Sequence, residues 1–558
     1  MSSDRRPSPA PSAPTGSAVP SGGGPRERFV LDPAHVGDIQ GAFGTIRQHE
    51  QAHRGWRARA LALLAIIGPG LIVMVGDNDA GGVATYSQAG QNYGTSLLWV
   101  LLLLVPVLIV NQEMVVRLGA VTGVGHARLI NERFGRFWGW FSVGDLFLLN
   151  FLTIVTEFIG VSLALGYLGI SKYVAVPVAA IALVAITVTG SFRAWERGMF
   201  VFVFANFLVI PLFFMAHPHG SPIVQHFFIP GIQGGANSTS VLLIIAMVGT
   251  TVAPWQLFFQ QSNIIDKRIT PRWINYERVD TWIGAVVVVI GAAALICVSA
   301  FALAGTPYFG HFTDAGATAT ALDNTLGSAA GAFFAIVLLN ASLIGAGALT
   351  LSTSYAFGDV FGTKSSLHRS WRDAKAFYSI FSGLIAAAAA IVLIPGAPLG
   401  VITEAVQALA GVLLPSASVF LLLLCNDREV LGPWRNPPWL NALASVIVAT
   451  LVLLSMILMA TTVFPNINVT TVALIGGALL VIGLAAFGVV TLRTRRRAPV
   501  VIEDEPSIPR EQWTMAPLAL LGRPQWSTGR KVAMLTLRGY LVVSVILLIV
   551  KAIQLGGG

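Results

Sequence analysis

The chain has 558 residues, of which 55% are hydrophobic and only 11% are charged. Its mean hydropathy of +0.73 excludes a water-soluble globular protein of this length. The formal net charge is +9, but the basic residues gather at the ends of apolar runs, which favours a membrane topology signal over a nucleic-acid surface. We therefore predict an all-α polytopic membrane protein without a nucleic-acid partner.

The N-terminal segment, residues 1–58, is rich in Ser, Pro, Gly and Arg and shows no sustained apolar period. Such a composition predicts a disordered tail. The first apolar run begins near Leu61, after Arg54, Arg57 and Arg59, and is too long for the apolar part of a signal peptide. We therefore expect no cleavable signal.

Apolar runs of spanning length follow, each near the roughly 20 residues that a helix needs to cross a bilayer. They cover residues 61–87, 94–116, 138–167, 171–191, 198–216, 239–261, 280–305, 329–358, 376–396, 400–425, 438–463, 469–492 and 533–553. The pattern predicts about 12–13 transmembrane helices.

The loops between these runs alternate in charge, since Lys and Arg cluster after every second run. The clusters include Arg117, Arg128, Arg133, Arg136, Arg193, Arg197, Lys267, Arg268, Arg272, Arg278, Lys364, Arg369, Arg372, Lys375, Arg428, Arg435, Arg493, Arg495, Arg496 and Arg497. The positive-inside rule then predicts a cytoplasmic N-terminus and an outside C-terminus for this integral membrane protein.

The first run contains two carboxylates, Asp77 and Asp79, surrounded by glycines. A charge at mid-membrane depth is costly, so it usually marks an ion or substrate path. Gly76, Gly81 and Gly82 weaken the helix at the same place, and an unwound backbone is tolerated there only around a cavity or a bound ion. These residues predict a cation site in a broken transmembrane helix.

The sixth run has a second interruption, at Pro254. Proline removes a backbone donor and frees the carbonyl groups near Thr250 and Thr251. Because the two interrupted runs are five apart, they predict a transporter of inverted five-helix repeats with its site at mid-membrane. We expect the repeats at 59–220 and 238–426.

The remaining residues, 437–558, are predicted to form peripheral helices, with a polar linker at 498–530.

The oxygen-bearing side chains at the two breaks form a set that suits hard divalent cations. Asp77, Asn78, Asp79 and Thr250 are the local candidates. For Asp77 an alternative is that it caps a half-helix or faces a water-filled vestibule, so Asp79 is the preferred ligand.

Two further polar side chains lie in apolar runs, Gln407 in the tenth and Glu157 in the third. Glu157 is either part of the transport path or a structural acid that pairs with a backbone donor or a basic residue.

Other chemistries are disfavoured by the residues themselves. The two cysteines, Cys297 and Cys425, lie in or at the end of apolar runs, and no histidine falls in the first, third, sixth or tenth run. Thiolate or imidazole metal sites are therefore not expected. The chain has no zinc-protease motif, phosphate-binding loop or nucleophile elbow, so we predict neither an enzyme nor a bound cofactor.

Several segments of residues 60–490 resemble the natural-resistance-associated macrophage proteins (NRAMP). They are Gly68-Pro-Gly-Leu, Asp79-Ala-Gly-Gly82-Val-Ala-Thr, Arg117-Leu-Gly-Ala-Val-Thr-Gly123, Thr156-Glu-Phe-Ile-Gly160, Phe192-Arg-Ala-Trp-Glu196, Gly249-Thr-Thr-Val-Ala-Pro254, Phe334-Ala-Ile-Val-Leu-Leu339 and Asp427-Arg-Glu-Val-Leu-Gly432. The resemblance implies a LeuT-like fold and proton-linked transport of divalent metals such as Mn²⁺ and Fe²⁺.

By position, Asp79 matches the coordinating aspartate of that family, and Gly76 and Thr250 match the residues that offer backbone carbonyls. Gln407 matches a tenth-helix glutamine that joins when the site closes. These roles are implied by the resemblance.

The chain also departs from the family pattern at four positions. Gly82 replaces an asparagine ligand, Ala253 a methionine ligand, Trp255 a histidine, and Ile154 an acid linked to proton movement. Loss of the soft sulfur lowers the preference for transition metals, and the smaller residues widen the cavity.

A wider, oxygen-lined site suits Mg²⁺, which dehydrates reluctantly and keeps several waters. The chain thus resembles the prokaryotic NRAMP-related magnesium transporters. We expect Mg²⁺ uptake, with Mn²⁺ also carried as a partly hydrated ion, by alternating access in a prokaryotic plasma membrane and without proton coupling.

Two alternatives stay open. One is a proton-coupled Mn²⁺ or Fe²⁺ symporter, and the more distant one is an amino-acid or organic-cation carrier of the same fold. The partners expected are the metal ion and the lipid bilayer. The sequence leaves the oligomeric state open and is compatible with a monomer.

Overall fold

The computed structural model describes residues 33–47, 55–396, 399–464, 467–497 and 508–522, together with 534, 535, 537, 539, 540 and 542. The first half of the chain contains α1 (Trp56–Ile66), α2 (Pro69–Val75), α3 (Ala80–Tyr93), α4 (Leu98–Thr122), α5 (His126–Phe134), α6 (Arg136–Tyr167), α7 (Lys172–Thr187), α8 (Phe192–Ala205), α9 (Val209–Met215) and α10 (Gly220–Phe228). A 3₁₀ turn at Asn206–Leu208 joins α8 to α9.

The second half contains α11 (Ser238–Thr251), α12 (Pro254–Asp266), α13 (Ile274–Leu303), α14 (Ala315–Leu326), α15 (Ser328–Phe361), α16 (Lys375–Val392), α17 (Leu399–Cys425), α18 (Arg428–Leu431), α19 (Pro438–Val463) and α20 (Val469–Arg497). Further 3₁₀ turns lie at Pro33–His35, Pro271–Trp273, Gly432–Trp434, Arg510–Gln512 and Leu518–Leu520.

About half of these helices, alone or joined end to end, are long and apolar enough to span a membrane. Within the described residues nine helical segments meet this condition, and α1 with α2, bent by 53°, makes a tenth. Each of the first twelve apolar runs of the sequence falls on one or more helices. The thirteenth run, 533–553, lies almost entirely outside the described residues.

The first and sixth spans are broken, as the sequence predicts. In the first, α2 ends at Val75 and α3 begins at Ala80. In the sixth, α11 ends at Thr251 and α12 begins at Pro254, where the missing N–H of proline removes no intrahelical bond. Glycine and proline thus interrupt the two helices in the middle of the molecule.

The two breaks face each other, because α3 packs against α11 and α2 packs against α12. Helices α6, α13 and α15 surround them. Gly160 of α6 lies where a Cβ would come within 2.6 Å of Ala80 Cβ and 2.3 Å of Ser342 Oγ. A glycine at 160 therefore allows α6 to approach the first break closely.

Part of the segment predicted to be a disordered tail is ordered, which corrects that prediction for residues 33–47. Strands β1 (Ile39–Gly41) and β2 (Gly44–Ile46) form an antiparallel hairpin whose Ile39 and Ile46 are buried. Three-residue strands are too short to show an apolar period, and this hairpin is held by other elements. The rest of residues 1–58, apart from the start of α1, lies outside the described residues.

Arginines of α8 bond to the backbone of the hairpin, which also packs on α1. Arg193 donates from Nε to Gly41 O at 2.9 Å and from Nη2 to Gly44 O at 2.8 Å. Arg197 Nε donates to Ala42 O at 2.9 Å. The backbone acceptors of the turn are therefore satisfied by arginines from a distant part of the chain.

Residues 508–522, in the segment expected to be a polar linker, pack on the body of the protein. The Arg510 guanidinium lies 4.1 Å from the centre of the Trp434 ring. Met515 N donates to Val121 O at 3.0 Å. Residues 498–507 and 523–530 lie outside the described residues.

Candidate functional site

Asp79 directly precedes α3, the second helix of the first broken span. It is the N-cap of α3, where its Oδ1 accepts a hydrogen bond from Gly82 N at 2.7 Å. Only 4% of the residue is exposed. A carboxylate at this position satisfies a free helical N–H and complements the positive end of the helix.

Glu157 of α6 lies against the same helix end. Its Oε2 accepts from Ala80 N at 3.1 Å, and its carboxyl group interacts with that of Asp79. Its Oε1 has no hydrogen-bond partner among the described residues. Two buried carboxylates in contact repel each other unless a cation or a proton lies between them.

Asp77 connects the two broken spans. Its Oδ1 accepts a hydrogen bond from Gln256 Nε2 of α12, and its Oδ2 has no partner in the described part of the chain. Gln256 Oε1 in turn accepts from Gln112 Nε2 of α4 at 3.0 Å, and its Nε2 also reaches Thr251 O at 3.3 Å. A chain of side chains therefore runs from α4 through α12 to the first break.

The second break presents hydroxyl and carbonyl oxygens to the first. Thr251 Oγ1 donates to Met247 O at 2.6 Å and lies 2.7 Å from Tyr86 OH of α3. Thr250 Oγ1 is buried and has no hydrogen-bond partner within the residues described. Because buried polar atoms are normally satisfied, such an atom beside a break indicates space for a ligand or water.

Gly82 lies between the two breaks. A Cβ at this position would be 3.0 Å from Asp77 O and 3.4 Å from Thr250 Oγ1. The structure thus brings Asp77, Gly82 and Thr250 together, and the lack of a side chain at 82 allows this close approach.

Trp255 lies beside the first break on the α12 side. Its indole comes within 3.4 Å of the Cβ position of Gly76, and its carbonyl accepts from Ser352 Oγ of α15 at 3.0 Å. Ala253, the N-cap of α12, is buried and carries only a methyl group. An aromatic ring therefore occupies the place where the resemblance leads one to look for a histidine.

One predicted residue, Asn78, is not brought to these oxygens. The Asn78 side chain donates to Val288 O of α13 at 3.1 Å, so it turns to the α13 side of the break. Gln407 lies on α17, and its side chain is outside the described residues.

Asp77, Asp79 and Glu157 do not form a cluster of three ligands. The part of the chain that the structure describes contains no group of three or more His, Cys, Asp or Glu side chains that could hold a metal ion. An ion here would need carbonyl, hydroxyl or water oxygens as well as carboxylates.

Residues that sequence reasoning missed are Gln112, Gln256 and Tyr86. The signal was present for one of them, because α12 carries buried amide side chains at Gln256, Gln260, Gln261 and Asn263 in an otherwise apolar helix. Amides at such positions indicate a polar network inside the protein.

A narrow cleft lies beside the chain neighbours of Asp79 and Glu157. It is lined by residues of α3, α6 and α14, including Ala80, Thr85, Thr156 and Asp314. The loop that carries α14 is one that the charge pattern places outside, so the cleft lies on the predicted external side.

On the opposite side, buried hydrogen bonds hold the junction of α1 and α2. Lys267 Nζ donates to Ile66 O at 2.6 Å and to Glu196 Oε1 at 2.6 Å, and Lys267 and Glu196 are fully buried. Asp280 Oδ2 accepts from Gly68 N at 3.0 Å and Gly70 N at 2.7 Å. These bonds fix the start of α2 on the predicted cytoplasmic side.

Several known proteins are similar to this chain. Residues 70–461 match the model of the family described as natural resistance-associated macrophage protein-like. The chain is 27% identical over 410 residues to the divalent metal cation transporter MntH of Aeromonas hydrophila, covering 70% of this chain and 94% of that protein. It is 26% identical over 425 residues to MntH of Bacillus subtilis, covering 73% and 94%.

Among solved structures, the chain is similar to the manganese transporter of Eremococcus coleocola in complex with an aromatic bis-isothiourea substituted compound. The TM-score is 0.62 at 20% identity, with 80% of this chain and 98% of that one covered. This likeness concerns the fold.

Fold and site define an integral membrane protein with two opposed broken helices. The chain belongs to the natural resistance-associated macrophage protein family. The predicted family and the predicted all-α, LeuT-like fold class are thereby confirmed.

Proposed function

We propose that this protein transports divalent metal cations by alternating access, with Mg²⁺ as its main substrate and Mn²⁺ also carried. The observation that carries the proposal is the composition of the site: Asp77, Asp79 and Thr250 face the junction of two broken helices with oxygen atoms alone. Oxygen ligands suit hard cations. The MntH relatives, whose names describe divalent metal cation transporters, support the substrate class.

The proposed preference for Mg²⁺ rests on the small residues at the site and on the absence of a soft sulfur ligand. Gly82 places no side chain between Asp77 O and Thr250 Oγ1, and Ala253 offers no sulfur. Mg²⁺ usually keeps several waters and is held by one or two carboxylates. We propose that Asp79 and the carbonyls of Gly76 and Thr250 hold a partly hydrated ion, and that Gln407 joins when the site closes.

Asp77 and Asn78 take different parts in this proposal. Asp77 lends negative charge to the site while it accepts from Gln256. The sequence predicts Asn78 as a ligand, whereas its bond to Val288 O gives it a role in holding the break against α13.

Uptake without protons is the second part of the proposal. Trp255 and Ile154 cannot accept or release a proton. Both are buried, Trp255 on α12 and Ile154 on α6. The membrane potential then drives the cation inward, since a double positive charge gains about 4.6 kcal/mol per 100 mV.

One observation favours the alternative of a proton-coupled Mn²⁺ or Fe²⁺ symporter. Glu157 contacts Asp79, and a proton that this pair takes up from the outside and releases to the inside with the cation would couple the two fluxes. An amino-acid carrier is disfavoured, because Asp79 already occupies the helix N-terminus that would bind a substrate carboxylate.

We place the two inverted repeats at 59–220 and 238–426 and the peripheral part at 437–558. The N-terminus is assigned to the cytoplasm and the protein to a prokaryotic plasma membrane. On this orientation, the cleft beside Thr156 and Asp314 admits the ion, and the bonds of Lys267 and Asp280 close the inner side.

Asp79→Asn tests the proposal. Asparagine also caps helices, so Gly82 N keeps an acceptor and the fold is expected to persist. In proteoliposomes the variant should lose Mg²⁺ and Mn²⁺ uptake at least tenfold while eluting as the wild type does on size exclusion. Unchanged Mg²⁺ uptake by Asp79→Asn would refute the proposed site.

A further inference from the structure

A second cavity lies on the lipid side of the first break. It has a volume of about 220 Å³ and is enclosed by α8 and α9, by α13 and by the break itself. We call it the lateral cavity and define it by Asn78, Val203, Asn206, Phe207, Val287 and Gly291. Asn78 is part of the first break, and the other five residues lie outside the junction of Asp77, Asp79 and Thr250.

The lateral cavity borders the bilayer. Neighbouring side chains that also line it are strongly exposed on the protein surface, Ile290 at 60% and Ile210 at 47%. Apolar residues so exposed on membrane-spanning helices face lipid. A molecule dissolved in the bilayer can therefore reach the cavity without crossing the ion path.

Two polar atoms in this apolar space lack partners. Asn78 Oδ1 and Asn206 Oδ1 are buried without a hydrogen-bond donor among the described residues. Asn78 Nδ2 is already used by Val288 O. A buried amide oxygen without a donor costs free energy, most of all at membrane depth, so the pair favours a ligand that donates hydrogen bonds.

The position of Asn206 also supports a ligand in the lateral cavity. It begins the 3₁₀ turn Asn206–Leu208 that interrupts the fifth span between α8 and α9. Helix irregularities at membrane depth are tolerated where they line a cavity. The interruption of this span and the break at Asn78 thus border the same space.

We propose that the lateral cavity binds a small amphiphile from the bilayer, with an alkyl chain and a hydroxyl group that donates to Asn78 or Asn206. A cavity of about 150 Å³ holds benzene, so about 220 Å³ takes roughly eight or nine heavy atoms, the size of octanol. A divalent cation is a poor occupant, because the described lining has no carboxylate to compensate for lost hydration.

An amphiphile bound in the lateral cavity is expected to inhibit transport. Asn78 lies between Asp77 and Asp79 in the segment that joins α2 to α3. A ligand bound to Asn78 and to α8–α9 links this segment to a second span, so it opposes any rearrangement of the break. The amphiphile therefore acts as an inhibitor that reaches the protein from the lipid.

Binding is tested with a photoreactive diazirine analogue of octanol on the purified full-length protein, with unlabelled octanol as competitor. Labelling is expected on peptides that contain residues 203–210 or 287–295 and should be competed by octanol. Asn206→Leu removes an acceptor at nearly constant volume, and Val287→Phe fills the space. Each should lower the labelling at least tenfold.

Val201→Phe is the matched control, since residue 201 is 65% exposed on α8 and lies outside the cavity lining. It should label as the wild type does. Labelling that Asn206→Leu and Val287→Phe leave unchanged, or that spreads over all lipid-facing helices, overturns the proposal. So does a cavity that holds only water, which gives no competable labelling.

A flux assay tests the inhibitory consequence separately. Octanol should inhibit metal uptake by the wild type and by Val201→Phe, and Asn206→Leu should need at least tenfold more of it. Equal inhibition of the wild type and both variants would indicate a general effect of octanol on the bilayer and would contradict inhibition through the lateral cavity. Because photolabelling needs no transport, the binding proposal stands or falls independently of the ion that is carried.

Discussion

The side-chain amide of Gln256 donates a hydrogen bond to the carboxylate of Asp77, so α12 is tied to the break that precedes α3. The bond joins the two broken spans at the point where the proposed ion lies. It also leaves Asp77 Oδ2 as an oxygen without a partner in the described residues. The charge of Asp77 is thereby held in place yet remains open to a cation.

Gln256→Leu removes this bond and leaves a buried carboxylate without its donor, at a cost of about 1–3 kcal/mol. We expect Mg²⁺ uptake to fall at least tenfold, because the two breaks lose their link. The measurement is initial uptake in proteoliposomes at several Mg²⁺ concentrations.

Gln260→Leu serves as the comparison, since Gln260 is equally buried on α12 but donates to Thr281 Oγ1 at 2.9 Å, away from the break. It should lower thermal stability without the same loss of uptake. Equal loss of uptake in both variants would mean that Gln256 matters only for stability.

Ala253→Met tests the metal preference of the second break. A thioether at this N-cap position adds a soft ligand, so affinity for Mn²⁺ and Cd²⁺ should rise about tenfold relative to Mg²⁺. Competition of Cd²⁺ against Mg²⁺ uptake measures the change. In the control Ala253→Leu, leucine has a volume similar to that of methionine but no sulfur, so the metal preference should not shift. A shift in both variants would show that side-chain size, and not sulfur, sets the preference.

Gly82→Ala tests the space that the proposed hydrated ion needs. The added Cβ would lie 3.0 Å from Asp77 O and 3.4 Å from Thr250 Oγ1. We expect the maximal rate of Mg²⁺ uptake to drop severalfold. Gly144→Ala on α6, where a Cβ meets nothing within 4 Å of the described structure, should leave the rate unchanged. A Gly82→Ala rate equal to that of the control contradicts a site widened by glycine.

Arg193→Ala tests whether α8 holds the N-terminal hairpin. The substitution removes donors to Gly41 O and Gly44 O, so backbone amides of residues 38–46 should exchange hydrogen at least tenfold faster. Hydrogen exchange with mass spectrometry measures this. Arg372→Ala, at an exposed loop position, provides the control. Equal protection in both variants would show that packing on α1 suffices.

The sequence was sufficient for the features that depend on local chemistry. Glycines 76, 81 and 82 and Pro254 act on their own helices, so both breaks could be predicted, as could the family. These features need no knowledge of distant contacts.

Features that depend on which helices meet could not be predicted in the same way. Gln112 and Gln256 are far apart in the chain and become partners only when α4 packs on α12. Asn78 has two acidic neighbours but turns towards Val288 because α13 offers a carbonyl there. The hairpin at 39–46 depends on arginines of α8.

The measurement that tests the account most directly is simultaneous recording of Mg²⁺ influx and internal pH in proteoliposomes under an inside-negative potential. We predict Mg²⁺ influx that grows with the potential, an unchanged internal pH, and at least tenfold less influx through Asp79→Asn. Exclusion of Mg²⁺, together with Mn²⁺ influx that acidifies the interior, would contradict the account and establish proton-coupled symport instead.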